Sequence, residues 1–211
     1  MSRLTRAESQ ARTRAHLVAT AKEMFLAEGY SVTSLEKVAD AAGYSKGAVY
    51  SNFRNKDELC LAVLDDIHTE KAIKIAEAIT GANTIDERLS AFQKWAEENI
   101  GNVGWTALEV EFAISARRDD VVRKELANRD RMIRDLIAGL ITAQAEELGI
   151  TLPMPADAAA TALLSLGIGL GLQRAIDPTI EVAVLTDLIR MLAGSSQPQR
   201  TDKAAGSRLS T

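Results

Sequence analysis

Residues 35–56, LEKVADAAGYSKGAVYSNFRNK, constrain the fold more than any other stretch, because they spell two short helices joined by a tight turn. Leu35, Val38, Ala39 and Ala42 recur at the spacing of one helix face. Gly43 then offers the left-handed conformation that ends a helix without steric cost. Ser45 is a good N-cap for a second helix, and Val49, four residues on, turns back onto the face of Val38 and Ala42. The two helices cross over one small core, where Ala39 leaves room for the approach. Lys46, Gly47, Ala48, Tyr50, Ser51 and Asn52 stay outside. Small, polar and hydroxylated groups of this kind let a helix enter the major groove of B-DNA and reach phosphates and base edges. The bland alternative is an ordinary αα-corner with a solvated second helix.

The charge distribution favours the first reading. The chain of 211 residues carries a net charge of −4, which alone argues against a general nucleic-acid binder. Residues 1–56 nevertheless hold nine Lys and Arg against five Asp and Glu, a net +4, so the remainder carries −8. Phosphate neutralisation needs only such a local positive potential. With aromatics at 4% and no β-branched alternation, the chain is expected to be all-α. Its single cysteine, Cys60, excludes an intrachain disulfide and fits a reducing compartment. Residues 1–14 are polar and basic, unlike a signal peptide. The longest uncharged run, residues 158–173, is 16 residues, short of the roughly 20 that span a membrane. A cytoplasmic protein that does not enter the membrane is the expectation.

Nine helices are expected in order. Residues 1–11 form a basic arm whose Arg3 and Arg6 suit a minor groove. Helix one covers about 12–28 and roofs the helix-turn-helix; Thr33 or Ser34 caps helix two. Asn55 precedes Glu58 by three, so a long fourth helix runs from there to about Thr80, ending at Gly81. Thr84 and Glu87 repeat the capping pattern for helix five, helix six covers about 105–117, and Asp119 caps a helix of about thirty residues. Helix eight spans about 155–176, and Asp177-Pro178 is expected to cap helix nine, which Gly194 stops. The tail, 195–211, lacks periodicity and reads as disordered. This divides the chain into a DNA-binding domain with its arm (1–58), a ligand-binding and dimerisation domain (59–194) and the tail.

The run TSLEKVADAAGYSKGAVYSNFRNKDEL, with ARTRAHLVATAKEMFLAEGY ahead of it, resembles the N-terminal domain of TetR-family transcriptional regulators over about residues 12–64. The resemblance implies that Thr33, Tyr44, Ser45, Lys46, Gly47, Tyr50, Ser51, Asn52 and Lys56 approach DNA. Lys46, Tyr50 and Lys56 are expected on phosphates; Ser45, Gly47, Ala48, Ser51 and Asn52 are expected nearest bases. Tyr44 departs from the family, where a small aliphatic residue is usual; either it packs inward or its hydroxyl meets a phosphate. A homodimeric repressor, released from a palindromic operator by a small hydrophobic ligand, is implied; an activator would share the same parts.

In the body, the dimer face is expected on helices eight and nine through Leu163, Leu166, Gly167, Leu170, Gly171, Leu185, Leu188 and Leu192. Glycines inside a helix cost about 1 kcal/mol each relative to Ala, which a close helix approach offsets. The effector pocket is expected from Phe92, Trp95, Trp105, Leu108, Glu109 and Phe112, closed by Leu136 and Leu140. Apolar walls with a carboxylate edge suit a hydrophobic ligand that is cationic or hydroxylated. No cofactor is implied, and an enzyme finds little material. Asp65 and His68, three apart, would make one half of a carboxylate-bridged metal site whose second half is missing. Gly167, Gly169 and Gly171 follow no strand and lack phosphate-loop spacing. A helical module whose head contacts protein instead of DNA is the second hypothesis, separated by salt-dependent duplex binding.

Overall fold

Side-chain caps set most of the helix starts, and the caps read from the sequence are largely those used. The computed structural model describes residues 5–80, 82 and 84–194; Arg3, Gly81, the side chain of Leu192 and the tail 195–211 lie outside the described residues. Among the described residues there are nine helices and no strand: α1 (Arg6–Glu28), α2 (Leu35–Ala41), α3 (Lys46–Asn52), α4 (Lys56–Thr80), α5 (Ile85–Asn99), α6 (Val103–Ala116), α7 (Asp120–Leu148), α8 (Ala156–Ile176) and α9 (Ala183–Gly194). Ser34 caps α2 by accepting from the Lys37 N–H at 3.2 Å. Asn55 caps α4 through the Glu58 N–H at 2.8 Å. Thr84 and Glu87 form a reciprocal capping box on α5, and Asp119 caps α7.

Three boundaries differ from expectation. A second capping box, Thr5 with Glu8, starts α1 at Arg6, so residues 6–11 are helical where an arm was expected. That leaves Arg6 in a first helical turn. Asn102 starts α6 two residues early. Asp177 does not cap α9; its carboxylate accepts from the backbone N–H (3.0 Å) and hydroxyl (2.6 Å) of Thr179, and residues 177–182 form a turn before Ala183. An Asx turn and an N-cap share one sequence signal, and the proline here favoured the turn.

Two cores result. The first contains Leu17, Ala21 and Phe25 of α1, Val38 and Ala39 of α2, Val49 of α3 and Leu59, Val63 and Leu64 of α4, but also Leu108 and Phe112 of α6. The helix-turn-helix and the foot of the body therefore share one apolar interior. Burial of one such side chain contributes about 1.5–3 kcal/mol. The second core, Ala96, Ile100, Leu170, Val182 and Leu185, joins α5 to α8 and α9, with Phe92, Trp95, Leu163 and Leu166 partly buried against it. Arg88 ties α5 to α7, its guanidinium meeting both carboxylate oxygens of Glu147 at 2.6 and 3.0 Å.

This packing corrects the reading of helix eight. Leu170, Gly171 and Leu185 are buried inside the protomer, so they form its core and not an open face. Leu163 and Leu166 lean on that core. What α8 leaves outward is Ile168, Leu172 and Ile176, one stripe at four-residue spacing, 52%, 44% and 81% exposed. Gly167 answers no close approach within the protomer, since nothing lies within 4 Å of a Cβ built there. Apolar on all sides, α8 gave no polar face to orient it by. At 21 residues it is long and apolar enough to cross a membrane by length and composition alone, yet it packs here against α6 and α7.

Gly104 lets α6 approach α1: a Cβ there would overlap the Leu26 carbonyl oxygen, which is backbone and cannot swing aside. Gly104→Ala is therefore expected to lower unfolding stability by about 1–3 kcal/mol in urea denaturation. An unchanged midpoint would show that α1 and α6 have slack.

Candidate nucleic-acid interface

The outer face of the helix-turn-helix is built by two caps and a glycine. Gly43, at φ 74°, turns the chain out of α2. Ser45 accepts from the Ala48 N–H at 3.2 Å and starts α3, whose one buried residue is Val49. Everything else on α3 is half-buried or exposed. Lys46, Gly47, Tyr50 and Ser51 are open, while Ala48 and Asn52 are partly covered. The backbone of α3 can thus come close to a partner surface over Gly47 and Ala48.

Beside α3 lies a groove of about 330 Å³ lined by Thr33, Ser34, Leu35, Glu36, Tyr50, Arg54, Asn55 and Lys56. It joins the start of α2, the end of α3 and the start of α4. Tyr50 is 50% exposed, and its hydroxyl donates to Glu36 Oε1 at 2.6 Å. That hydrogen bond holds the Glu36 carboxyl below the usual carboxylate range and the Tyr50 phenol above its own. Lys56 donates to the carbonyls of Tyr30 (3.0 Å) and Ser31 (3.4 Å), with its ammonium 4.1 Å from the centre of the Tyr30 ring. Two of the residues expected on phosphates, Tyr50 and Lys56, therefore share one groove, each already held by a neighbour. Arg54, whose side chain is 90% exposed, and Asn55, expected only as a helix cap, are not among the DNA contacts expected from the sequence, although their places in RNK between α3 and α4 put them on the same rim.

Other expected contacts are placed differently. Thr33 is buried, and its hydroxyl donates to the Gly29 carbonyl at 3.0 Å, so it serves the α1–α2 turn. Tyr44 is half-buried, packs against the first core and stands edge-on to His16, its hydroxyl 3.4 Å from His16 Nδ1. The larger residue here packs inward. The Asn52 amide donates to the Ala48 carbonyl at 2.8 Å, and the Asn52 backbone carbonyl accepts from Arg14 at 2.9 Å, so Asn52 fastens α3 to α1. Ser51 donates to the Ala48 carbonyl at 2.8 Å.

The residues expected around an effector gather only in part, with Trp95 and Trp105 both beside the Lys71 ammonium. Leu108 and Phe112 belong to the first core, and Phe112 meets Tyr30 edge-to-face at 5.2 Å. Phe92 stacks on Trp95 at 5.7 Å beside the second core. Trp105 lies under the ammonium of Lys71, at 4.0 Å. Glu109 meets His68 Nε2 at 2.8 Å. Leu140 is half-buried, but Leu136 is 59% exposed and closes no wall. Asp65 is held by Arg129 at 2.8 Å, away from His68's partner, and among the described residues no cluster of His, Cys, Asp and Glu suits a metal. Cys60 is fully buried, and burial pushes its thiol pKa up.

A three-helix head with an open, small-residue α3 on a helical body defines a class of protein that known sequences also contain. Residues 17–63 match the family described as bacterial regulatory proteins, tetR family. Over these residues the chain carries the domain of the TetR family. It is 37% identical over 86 residues to the HTH-type transcriptional regulator TtgR of Pseudomonas putida, covering 41% of this chain and 40% of the relative. The similarity in sequence thus spans less than half of that relative's length. The fold extends further: Salmonella enterica GusR aligns over 92% of this chain and 99% of its own, at TM-score 0.67 and 23% identity. The regulatory protein TetR from Rhodobacter sphaeroides aligns over 86% and 97%, at TM-score 0.61 and 24% identity.

Proposed function

We propose that this protein is a cytoplasmic, homodimeric transcriptional repressor that binds a palindromic operator through α3 and releases it on binding a small hydrophobic molecule. The observation that carries the DNA-binding part is the open face of α3 beside the groove of Tyr50 and Lys56. Lys46, Tyr50, Lys56 and the rim residue Arg54 supply phosphate contacts, and Gly47 and Ala48 let the helix backbone approach base edges, with Ser45 and Ser51 beside them. Of the wider set inferred from the sequence, Thr33, Tyr44 and Asn52 act in this reading by shaping the interface. Glu36 has a second consequence: a phosphate must take the Tyr50 hydroxyl from a carboxylate, so part of the phosphate bond is offset by the one lost.

A palindromic site requires two copies of α3 about 34–36 Å apart or a multiple of that, hence a two-fold dimer. The surface proposed for it is the outward stripe of α8, Ile168, Leu172 and Ile176, together with the half-buried Leu188 of α9. A contiguous apolar stripe on a helix is what a second protomer covers. Release follows if the effector shifts α6. That helix grips the head at three points: Glu111 accepts from the Ser31 N–H (3.1 Å) and hydroxyl (3.2 Å), Gly104 abuts Leu26, and Phe112 packs on Tyr30. A displacement of α6 would reorient both heads away from the operator spacing.

Tyr50→Phe is expected to weaken duplex binding by about threefold to tenfold in fluorescence anisotropy, the worth of one hydrogen bond less the Glu36 contact. Lys46→Ala should weaken it uniformly across sequences and lower the slope of log affinity against log salt by about one. Wild-type affinity in both variants, with circular dichroism unchanged, would contradict the interface. Leu172→Arg is expected to give monomers by sedimentation while the fold persists, because Leu172 lies outside both cores. A dimer retained at micromolar concentration would place the interface elsewhere.

A further inference from the structure

Between α4, α5 and α6 the protomer gathers hydrogen-bond donors that it matches only in part with acceptors. Lys71 of α4 is half-buried, its ammonium 4.0 Å from the Trp105 ring centre and 5.9 Å from that of Trp95. It donates to Asn99 Oδ1 at 2.8 Å. Two carboxylates act on its charge, Glu70 and Glu109, and both are held by other partners. Glu70 is bound by Lys22 at 2.6 Å and Lys74 at 2.7 Å, which holds its carboxyl at about 2. Glu109 lies 2.8 Å from His68 Nε2. The indole Nε1 atoms of both Trp95 and Trp105 are buried and find no hydrogen-bond partner among the described residues.

An N–H buried without an acceptor bears its desolvation cost with no return, and a half-buried ammonium lacking a counter-ion bears a larger one. Burial already holds Lys71 below the ordinary lysine range, the mark of a charge short of compensation. Both indoles border apolar surface: Trp95, on which Phe92 stacks, lies with Leu163 and Leu166 against the second core, and Trp105 lies against the first. Satisfying them takes acceptors on an apolar carrier. A cation would meet Lys71 as a like charge, and the carboxylate expected to attract it, Glu109, is engaged by His68.

We propose that the Lys71, Trp95 and Trp105 cluster binds an organic anion, a carboxylate on an aromatic or aliphatic body, and that this is the effector site. The carboxylate takes the Lys71 ammonium and the indole N–H groups, and the body lies along the apolar side of Phe92 and Trp95. This rests on the reading of the body as a small-molecule sensor and replaces the cationic ligand suggested by Glu109 with an anionic one.

The test uses the full chain and three probes that differ only in head group: 4-phenylbutyrate, 4-phenylbutan-1-ol and 4-phenylbutylamine, titrated by calorimetry at low salt. The carboxylate is expected to bind about tenfold or more tighter than the alcohol, as charge-assisted hydrogen bonds require, with the amine weakest. Lys71→Met should erase that preference. Trp105→Phe keeps an aromatic face beneath Lys71 and removes a donor that has no partner among the described residues, so it should fold and weaken only the carboxylate. The proposal is overturned if the carboxylate does not bind, if the alcohol or amine binds as well, or if Lys71→Met leaves the preference intact. Lys71-dependent carboxylate binding without release of duplex DNA would uphold the anion site and overturn its role as the effector site. Release by the alcohol, undiminished in Lys71→Met, would uphold release and overturn this site.

Discussion

The contact between Tyr30 and Phe112 is the one on which the rest of the structure depends. Phe112, on α6, is fully buried and meets Tyr30 edge-to-face at 5.2 Å, and Tyr30 in turn packs on Phe25 of α1. An aromatic pair of this geometry contributes about 0.5–1.5 kcal/mol beyond its buried area. The Tyr30 hydroxyl donates to Asp57 at 2.6 Å; burial, with that bond, pushes its pKa up, and Lys56 lies over the ring. One side chain thereby joins α1, the start of α4 and α6. The helix-turn-helix is consequently not a bead on a tether. It shares an interior with the body, and α6 cannot move without disturbing the residues that fix Lys56 at the rim of the groove.

Local chemistry was what the sequence made legible. The stretch 35–56 placed α2, α3 and their turn because Ser34, Gly43 and Ser45 each act within a few residues of themselves. The same holds for Thr84 with Glu87 and for Asp119. Thr5 with Glu8 carried an equally plain signal, obscured because the residues around it are polar on every side. The Asx turn at Asp177 shows the limit of such signals, since a carboxylate beside a proline can start a helix or delay one.

Non-local pairing was not legible. Thr33 and Asn52 have the chemistry of DNA contacts, but their partners, Gly29 and Arg14 among them, are chosen by the folded chain. Glu109 looked like a free carboxylate because nothing near it in sequence announces His68, 41 residues away. Lys71 is illegible for the converse reason: a lysine on a helix carries no local signal, and only the approach of Trp95 and Trp105 from two other helices gives it a role. In α8, uniform apolarity concealed which side faces the protomer's core.

An open α3 and a shared head–body core, with the proposed two-fold pairing of bodies, would make one DNA-reading assembly. Selecting bound duplexes from a random pool with the full chain tests it most directly. The account predicts enrichment of a two-fold symmetric sequence whose half-sites lie about 34–36 Å apart, or a multiple of that, in step with two α3 helices. A pool that shows no enrichment, or that enriches a site without two-fold symmetry, would contradict it.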